Sequence, residues 1–188
     1  MMNEPFIIAF VLALISEIAD KTQLVILGLA LKYKSPLKVF SGALLAHAFM
    51  DGIAILLGAF FGFTLSSVLV KNSVGTVFII LGLWGFYKLY RKTHRKESRI
   101  PGKTPFTISL LTVMISEFGD KTQIASGLLS AKYLVPIPIF MGFVLALAAA
   151  IGFNVFVGSK IAQKLPRRTI KMITAVLFVL FGLFALVY

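Results

Sequence analysis

The sequence predicts an all-α, polytopic membrane protein with six transmembrane helices arranged as two inverted-topology three-helix repeats. Three observations predict it: a composition too apolar for a soluble domain, apolar segments recurring between short polar breaks, and a motif that returns 100 residues later. Of the 188 residues, 59% are hydrophobic and 14% charged, whereas a soluble domain carries about a quarter charged residues. A net charge of +12 would ordinarily suggest nucleic acid, but a mean hydropathy of +0.95 leaves little polar surface for a nucleic-acid groove. The natural partner is the lipid bilayer. The absence of cysteine excludes disulfides, thiolate metal sites and cysteine nucleophiles.

The first apolar segment, residues 5–30, opens after Glu4 rather than after a basic cluster, and Glu17 and Asp20 interrupt it. It therefore reads as a permanent span and not as a cleavable signal. The second segment, 38–63, follows a break at 32–36, and the third, 73–90, follows one at 62–71. A polar run at 91–105 precedes the fourth, 105–131; a break at 132–138 precedes the fifth, 136–158; and 160–168 separates it from the sixth, 169–188. Each meets the length of a transmembrane helix, about 17–25 residues. The expected division is a first repeat at 1–90, a basic linker at 91–104 and a second repeat at 105–188.

Charge in the breaks sets the expected orientation. Lys32, Lys34 and Lys38, then Lys88, Arg91, Lys92, Arg95, Lys96, Arg99 and Lys103, then Lys160, Lys164, Arg167, Arg168 and Lys171 all fall on one side. The other side carries Lys71 and Lys132. Fifteen basic residues against two make the first side cytoplasmic by the positive-inside rule, with both termini outside. The basic 88–103 stretch reads as a topology signal attracted to anionic lipid.

Ser16-Glu17-Ile18-Ala19-Asp20-Lys21-Thr22-Gln23 returns as Ser116-Glu117-Phe118-Gly119-Asp120-Lys121-Thr122-Gln123. The same offset relates Lys32-Tyr33 to Lys132-Tyr133, Gly42 to Gly142, Gly58 to Gly158 and Gly82-Leu83 to Gly182-Leu183. A duplicated unit of three spans must cross the membrane in opposite directions, an architecture of secondary transporters whose substrate sits near the midplane between the halves.

Five of the seven acidic residues lie inside spans: Glu17 and Asp20, Glu117 and Asp120, and Asp51. The motif lysines Lys21 and Lys121 accompany them. At about 2.5–3.5 kcal/mol each on insertion scales, these seven charges would cost roughly 20 kcal/mol before pairing. Glu and Asp three apart would lie on one helix face, and Lys, four after Glu, could pair within the helix. Spans one and four facing each other would gather four carboxylates, which repel unless protonated or bound to a cation. Thr22, Gln23, Thr122, Gln123, Ser16 and Ser116 add neutral oxygens. An oxygen-rich, thiol-free set suits Mg²⁺, Ca²⁺ and Mn²⁺. Competition between such a cation and protons for one set of carboxylates is the minimum device for exchange.

The second helices of the repeats differ. His47 and Asp51 in span two have Leu147 and Ile151 as images, while span five carries Asn154. Asp51, with His47, is the proton-coupling candidate, and Asn154 a candidate neutral oxygen ligand. Small residues in spans two and five (Gly42, Ala43, Ala46; Gly142, Ala146, Ala148) permit close helix packing. Trp84, Tyr87 and Tyr90 fit an interfacial belt.

The doubled Glu-x-Gly-Asp-Lys-Thr pattern in the first and fourth spans resembles the Gdt-type family of divalent cation/proton exchangers, which includes bacterial manganese exporters. The resemblance covers essentially the whole chain. The second copy matches in full, and the first has Ala19 in place of Gly. It implies proton-driven transport of Mn²⁺, with Ca²⁺ as the alternative cargo, and Glu17, Asp20, Glu117 and Asp120 as the cation-binding acids. It implies no resident cofactor, a bacterial inner membrane and a transporter rather than an enzyme. Competing readings are an amino-acid exporter using the lysines, a passive cation channel and an intramembrane aspartyl-type enzyme built on Asp20 and Asp120. The paired Glu and Lys argue against the last, since a dyad needs neither.

Overall fold

The structure, a computed structural model, describes residues 3–18, 20–90, 104–157 and 167–187. Among these residues all regular structure is helical: α1 (Asn3–Glu17), α2 (Lys21–Tyr33), α3 (Pro36–Thr64), α4 (Ser67–Tyr90), α5 (Pro105–Glu117), α6 (Lys121–Tyr133), α7 (Pro136–Gly152), which runs on as a π-helical turn (Phe153–Val157), and α8 (Arg167–Val187). The basic run 91–103, Lys160, Lys164, Gly158, Ala19 and the side chain of Lys21 lie outside the described residues.

Among the described residues three helices are long and apolar enough to cross a bilayer: α3, α4 and α7 with its π turn. The expected continuous spans at 5–30 and 105–131 are instead two pairs of short helices, α1 with α2 and α5 with α6. At 13 to 15 residues each, these reach about 20 Å, less than the roughly 30 Å hydrocarbon layer. The breaks have a local cause. Gly119 sits at φ +69, a left-handed conformation that side chains disfavour. Asp120 is extended (φ −73, ψ 166) and starts α6 as its N-cap. Asp20 repeats that conformation at the start of α2 (φ −75, ψ 162), so the break is present in both copies although the first carries Ala19.

Other boundaries recur at the same offset. Pro36 and Pro136 open α3 and α7 at positions where a missing N–H costs nothing. Lys34 and Leu134 end α2 and α6 in left-handed geometry. Pro105 opens α5 behind a capping box in which Thr104 and Thr107 exchange side-chain and backbone hydrogen bonds.

Packing exchanges elements between the two copies of the motif. α1 packs on α7, while α5 and α6 pack on α3. Glycines permit the close approaches: a methyl on Gly42 would run into the Phe106 carbonyl, and one on Gly142 into the Phe6 carbonyl, the equivalent contact 100 residues away. α4 and α8 pair with each other through Gly75, Gly82 and Gly182, and Phe78 packs on Phe178 and Phe181. The buried core runs through Ala9, Ala13, Val39, Ala43, Val113, Leu129, Phe143 and Leu147. The outward faces are apolar instead of polar: Leu45, Phe49, Leu56, Phe60 and Phe63 of α3 are all at least half exposed. This arrangement suits lipid as solvent and would aggregate in water.

At one end of the bundle the Tyr133 hydroxyl lies 3.5 Å from Glu4 Oε1, and Lys71 Nζ donates to the Val187 carbonyl at 2.7 Å. At the opposite end the Ser109 hydroxyl donates to the Val39 carbonyl at 3.0 Å. The start of α1 therefore shares an end with the finish of α6, and the start of α3 shares the other with the start of α5.

Candidate metal centre

The helix breaks create the site. Glu17 and Glu117 are the last residues of α1 and α5, and Asp20 and Asp120 the N-caps of α2 and α6. Glu and Asp are thus not stacked on one continuous helix face, as their spacing predicts. They come from either side of a broken backbone. Neither Asp side chain caps its own helix in the usual way, although both sit at the positive end of a helix dipole, where an anion is favoured.

Each of the four carboxylates offers one oxygen within 4.8 Å of the other three. Glu17 is fully buried and Glu117 is 4% exposed, whereas Asp20 is partly open. Glu17, Glu117 and the ring of His47 form a second group whose ligand atoms lie equally close together. The Glu17 Oε2, Asp120 Oδ2 and His47 Nε2 atoms are buried without a hydrogen-bond partner among the described residues. Buried polar atoms are ordinarily satisfied, so these ask for something to bind.

Hydrogen bonds tie the halves together at this point. The Thr122 hydroxyl donates to Glu17 Oε1 at 2.5 Å, and Thr22 bonds Glu117 in the reciprocal arrangement. Gln123 accepts the Gly119 N–H through Oε1 at 2.7 Å, which braces the break, and its amide donates to the Met50 carbonyl at 3.2 Å. Asn154 donates to Gln23 Oε1 at 3.0 Å and to the Ala150 carbonyl at 2.9 Å. Asn154 thus acts on Gln23 from the π turn.

The expected Glu117–Lys121 pair within one helix gives way to a link across the halves, while the side chain of Lys21 lies outside the described residues. Lys121 Nζ lies 3.8 Å from Asp20 Oδ1, because Lys121 starts a new helix and no longer lies one turn above Glu117. Asp51 is 2% exposed on α3 and faces α6, where the Ser126 hydroxyl donates to its Oδ1 at 3.5 Å. Its Oδ2 has no hydrogen-bond partner among the described residues. Ser126 has no polar image, position 26 being Ile; only the α3–α6 packing makes it a partner.

Clustered carboxylates on broken helices, with few cations to neutralise them, can hold a divalent cation or protons but not both at full occupancy. The comparisons agree with that chemistry. The family model described as divalent cation/proton antiporter GDT1 matches residues 5–93 and 105–188. The chain belongs to this family. It is also 32% identical over 170 residues to a Vibrio cholerae serotype O1 protein described as a "putative manganese exporter", covering 90% of this chain and 84% of that one. No solved structure matches. As a member of the antiporter family the chain is a transporter and not an enzyme. The family match spans both copies of the motif, so both halves of the carboxylate cluster belong to the matched region.

Proposed function

We propose that the protein exports Mn²⁺ from the cytoplasm of a bacterial cell across the inner membrane in exchange for protons, by alternating access at a midplane site made of Glu17, Asp20, Glu117 and Asp120. The observation that carries this reading is the convergence of four carboxylates from two broken helices on one point. Thr122 and Thr22 hydrogen-bond Glu17 and Glu117, Gln123 braces the break before Asp120, and Asn154 holds Gln23.

The topology is read as six spans in two inverted repeats, 1–90 and 105–188, joined by the basic stretch 91–104. Support comes from the ends of the bundle, since the start of α1 meets the finish of α6, as opposite crossing directions require. The basic loops then face the cytoplasm and the termini face outward. In the cytoplasm-facing state the deprotonated acids take up the metal. Rocking opens the site outward, protonation displaces the cation, and the protonated carrier returns.

His47 supports Mn²⁺ over Ca²⁺, because an imidazole nitrogen beside Glu17 and Glu117 adds a ligand that Ca²⁺ and Mg²⁺ take poorly. The expected effect of His47→Asn is a fall of about tenfold in apparent Mn²⁺ affinity, one lost ligand being worth about 1.4 kcal/mol, with Ca²⁺ affinity little changed. Competition binding of the two cations to purified protein reads this directly; equal loss for both removes the selectivity role.

Asp51 is the proton carrier of this scheme, a buried acid of α3 facing Ser126 of α6, with one oxygen unpartnered among the described residues. Asp51→Asn is expected to leave Mn²⁺ binding intact and to remove the response of transport to an imposed pH gradient. Full gradient-driven flux in that variant would end the proton role. The whole reading is tested in proteoliposomes by comparing Mn²⁺, Ca²⁺ and Mg²⁺ flux with and without a pH gradient. Counter-movement of protons with Mn²⁺ is expected; gradient-independent conduction would indicate a channel.

A further inference from the structure

The two halves of the bundle are related by a 100-residue offset, but the α4–α8 pair does not meet them equally. α4 packs on α6 and α8 packs on α1. The offset images of these contacts would be α8 on α2 and α4 on α5, and among the described residues neither packs to a comparable extent. α6 and α1 form the end of the bundle at which Glu4 meets Tyr133, whereas α2 and α5 form the opposite end.

Side chains repeat the asymmetry. The Lys132 ammonium is buried over the rings of Phe181 (5.5 Å) and Phe184 (4.9 Å) of α8. Its image, Lys32, is exposed. Along the same face of α2, Leu31 is 57% exposed, and a side chain added at Gly28 would meet nothing within 4 Å among the described residues. The corresponding α6 residues, Leu128 and Ala131, are partly covered. The offset images of Phe181 and Phe184 are Leu81 and Trp84 of α4. Trp84 is the strongest cation–π partner among the side chains. Trp84 is 44% exposed as a residue, with Lys88 Nζ over its ring 3.4 Å from the centroid.

We propose that the bundle stands closed at the Lys132 end and open at the Lys32 end, and that the opposite transport state closes by docking Lys32 of α2 on Trp84 and Leu81 of α4 while Lys132 leaves Phe181 and Phe184. The proposal rests on the transport reading above and names the gate that reading needs. Each state uses one lysine–aromatic clasp, and the site opens to the side whose clasp is released.

The chain has no cysteine and a single tryptophan, which makes the test direct. Lys132→Cys with Phe184→Cys, and Lys32→Cys with Trp84→Cys, are reconstituted, checked for Mn²⁺ flux and treated with a short bis-maleimide. Both pairs are expected to cross-link and each link to arrest flux. In a four-cysteine chain, prior linkage of 132 to 184 is expected to suppress the 32–84 link by about tenfold or more, as mutually exclusive states require. Failure of the 32–84 pair to link in a variant that still moves Mn²⁺ overturns the proposal, as does its unhindered linkage in the locked chain. Should a double variant fail to fold, Trp84 emission on Mn²⁺ addition provides the second measurement. A shift is expected in the unsubstituted protein and not in Lys32→Met, and an equal shift in both overturns the clasp. Absence of any cation flux in the unsubstituted protein would instead sink the transport reading, while the cross-linking pattern would still report the two states.

Discussion

Replacing Glu17 by Gln, or Asp120 by Asn, is expected to abolish Mn²⁺ transport while leaving folded protein in the membrane. Each substitution keeps the shape of the side chain and removes one negative charge from a cluster whose ligand atoms lie within 4.8 Å of one another. At about 4 Å and an effective dielectric near 20, one unit-charge interaction is worth about 4 kcal/mol, or roughly a thousandfold in affinity, and a divalent ion feels more. The same substitution relieves repulsion among the acids, so the apo protein should be no less stable. That opposition of signs separates a binding role from a structural one. Isothermal binding of Mn²⁺ and thermal melting, measured on the same preparation, read both. Retained binding in both variants would remove the four-carboxylate site, and loss of binding with an equal loss of melting temperature would show that the acids hold the fold.

Gly58→Val is expected to damage the fold more than any change at the metal cluster. A side chain at Gly58 would run into the carbonyl and Cα of Gly127 where α3 crosses α6, and at Gly62 into the backbone of Ala131. The obstacle is backbone, which cannot swing aside as a side chain would. Overpacking of this kind costs about 1–3 kcal/mol, equivalent to about 2–12 °C in melting temperature for a chain of this size. Gly28→Ala provides the control: it meets nothing within 4 Å and should leave melting unchanged or slightly raised. Because α3 carries Asp51 and α6 carries Ser126 and Asp120, Gly58→Val should lower transport through loss of folded protein, at unaltered metal affinity in the fraction that folds. An unchanged melting temperature would mean that the α3–α6 contact is looser than the glycines indicate.

Much of the site was legible because charge is expensive in lipid. Glu17, Asp20, Glu117 and Asp120 stand out of an apolar sequence twice in one register, and no packing role accounts for all four. The helix breaks were not legible. A run of apolar residues reads as one helix, and the doubled Glu-x-x-Asp spacing is that of a helix face, which puts Lys121 within reach of Glu117 and says nothing of Asp20. Gly119 was visible, but Ala19 in the other copy hid the fact that the same interruption occurs twice. His47 enters the sequence analysis only as a companion of Asp51 in proton coupling, because nothing in span two says how near it stands to Glu17. Ser126 was invisible for the same reason, being an ordinary small polar residue until α6 packs on α3.

What the sequence by itself determined is the solvent, the duplication and the acids. Composition chooses lipid over water, a 100-residue offset is read by comparing letters, and the energetic penalty of a buried charge depends on that charge and its surroundings being apolar, both visible along the chain. The tertiary structure decided which atoms meet. Whether four carboxylates come within reach of one another, whether His47 lies beside them, and which lysine covers which rings depend on contacts between residues as far apart as the 105 positions from Glu17 to Thr122. Those distances come from how glycine-lined helices nest and where a helix stops, and nearest-neighbour chemistry along the chain carries no record of either.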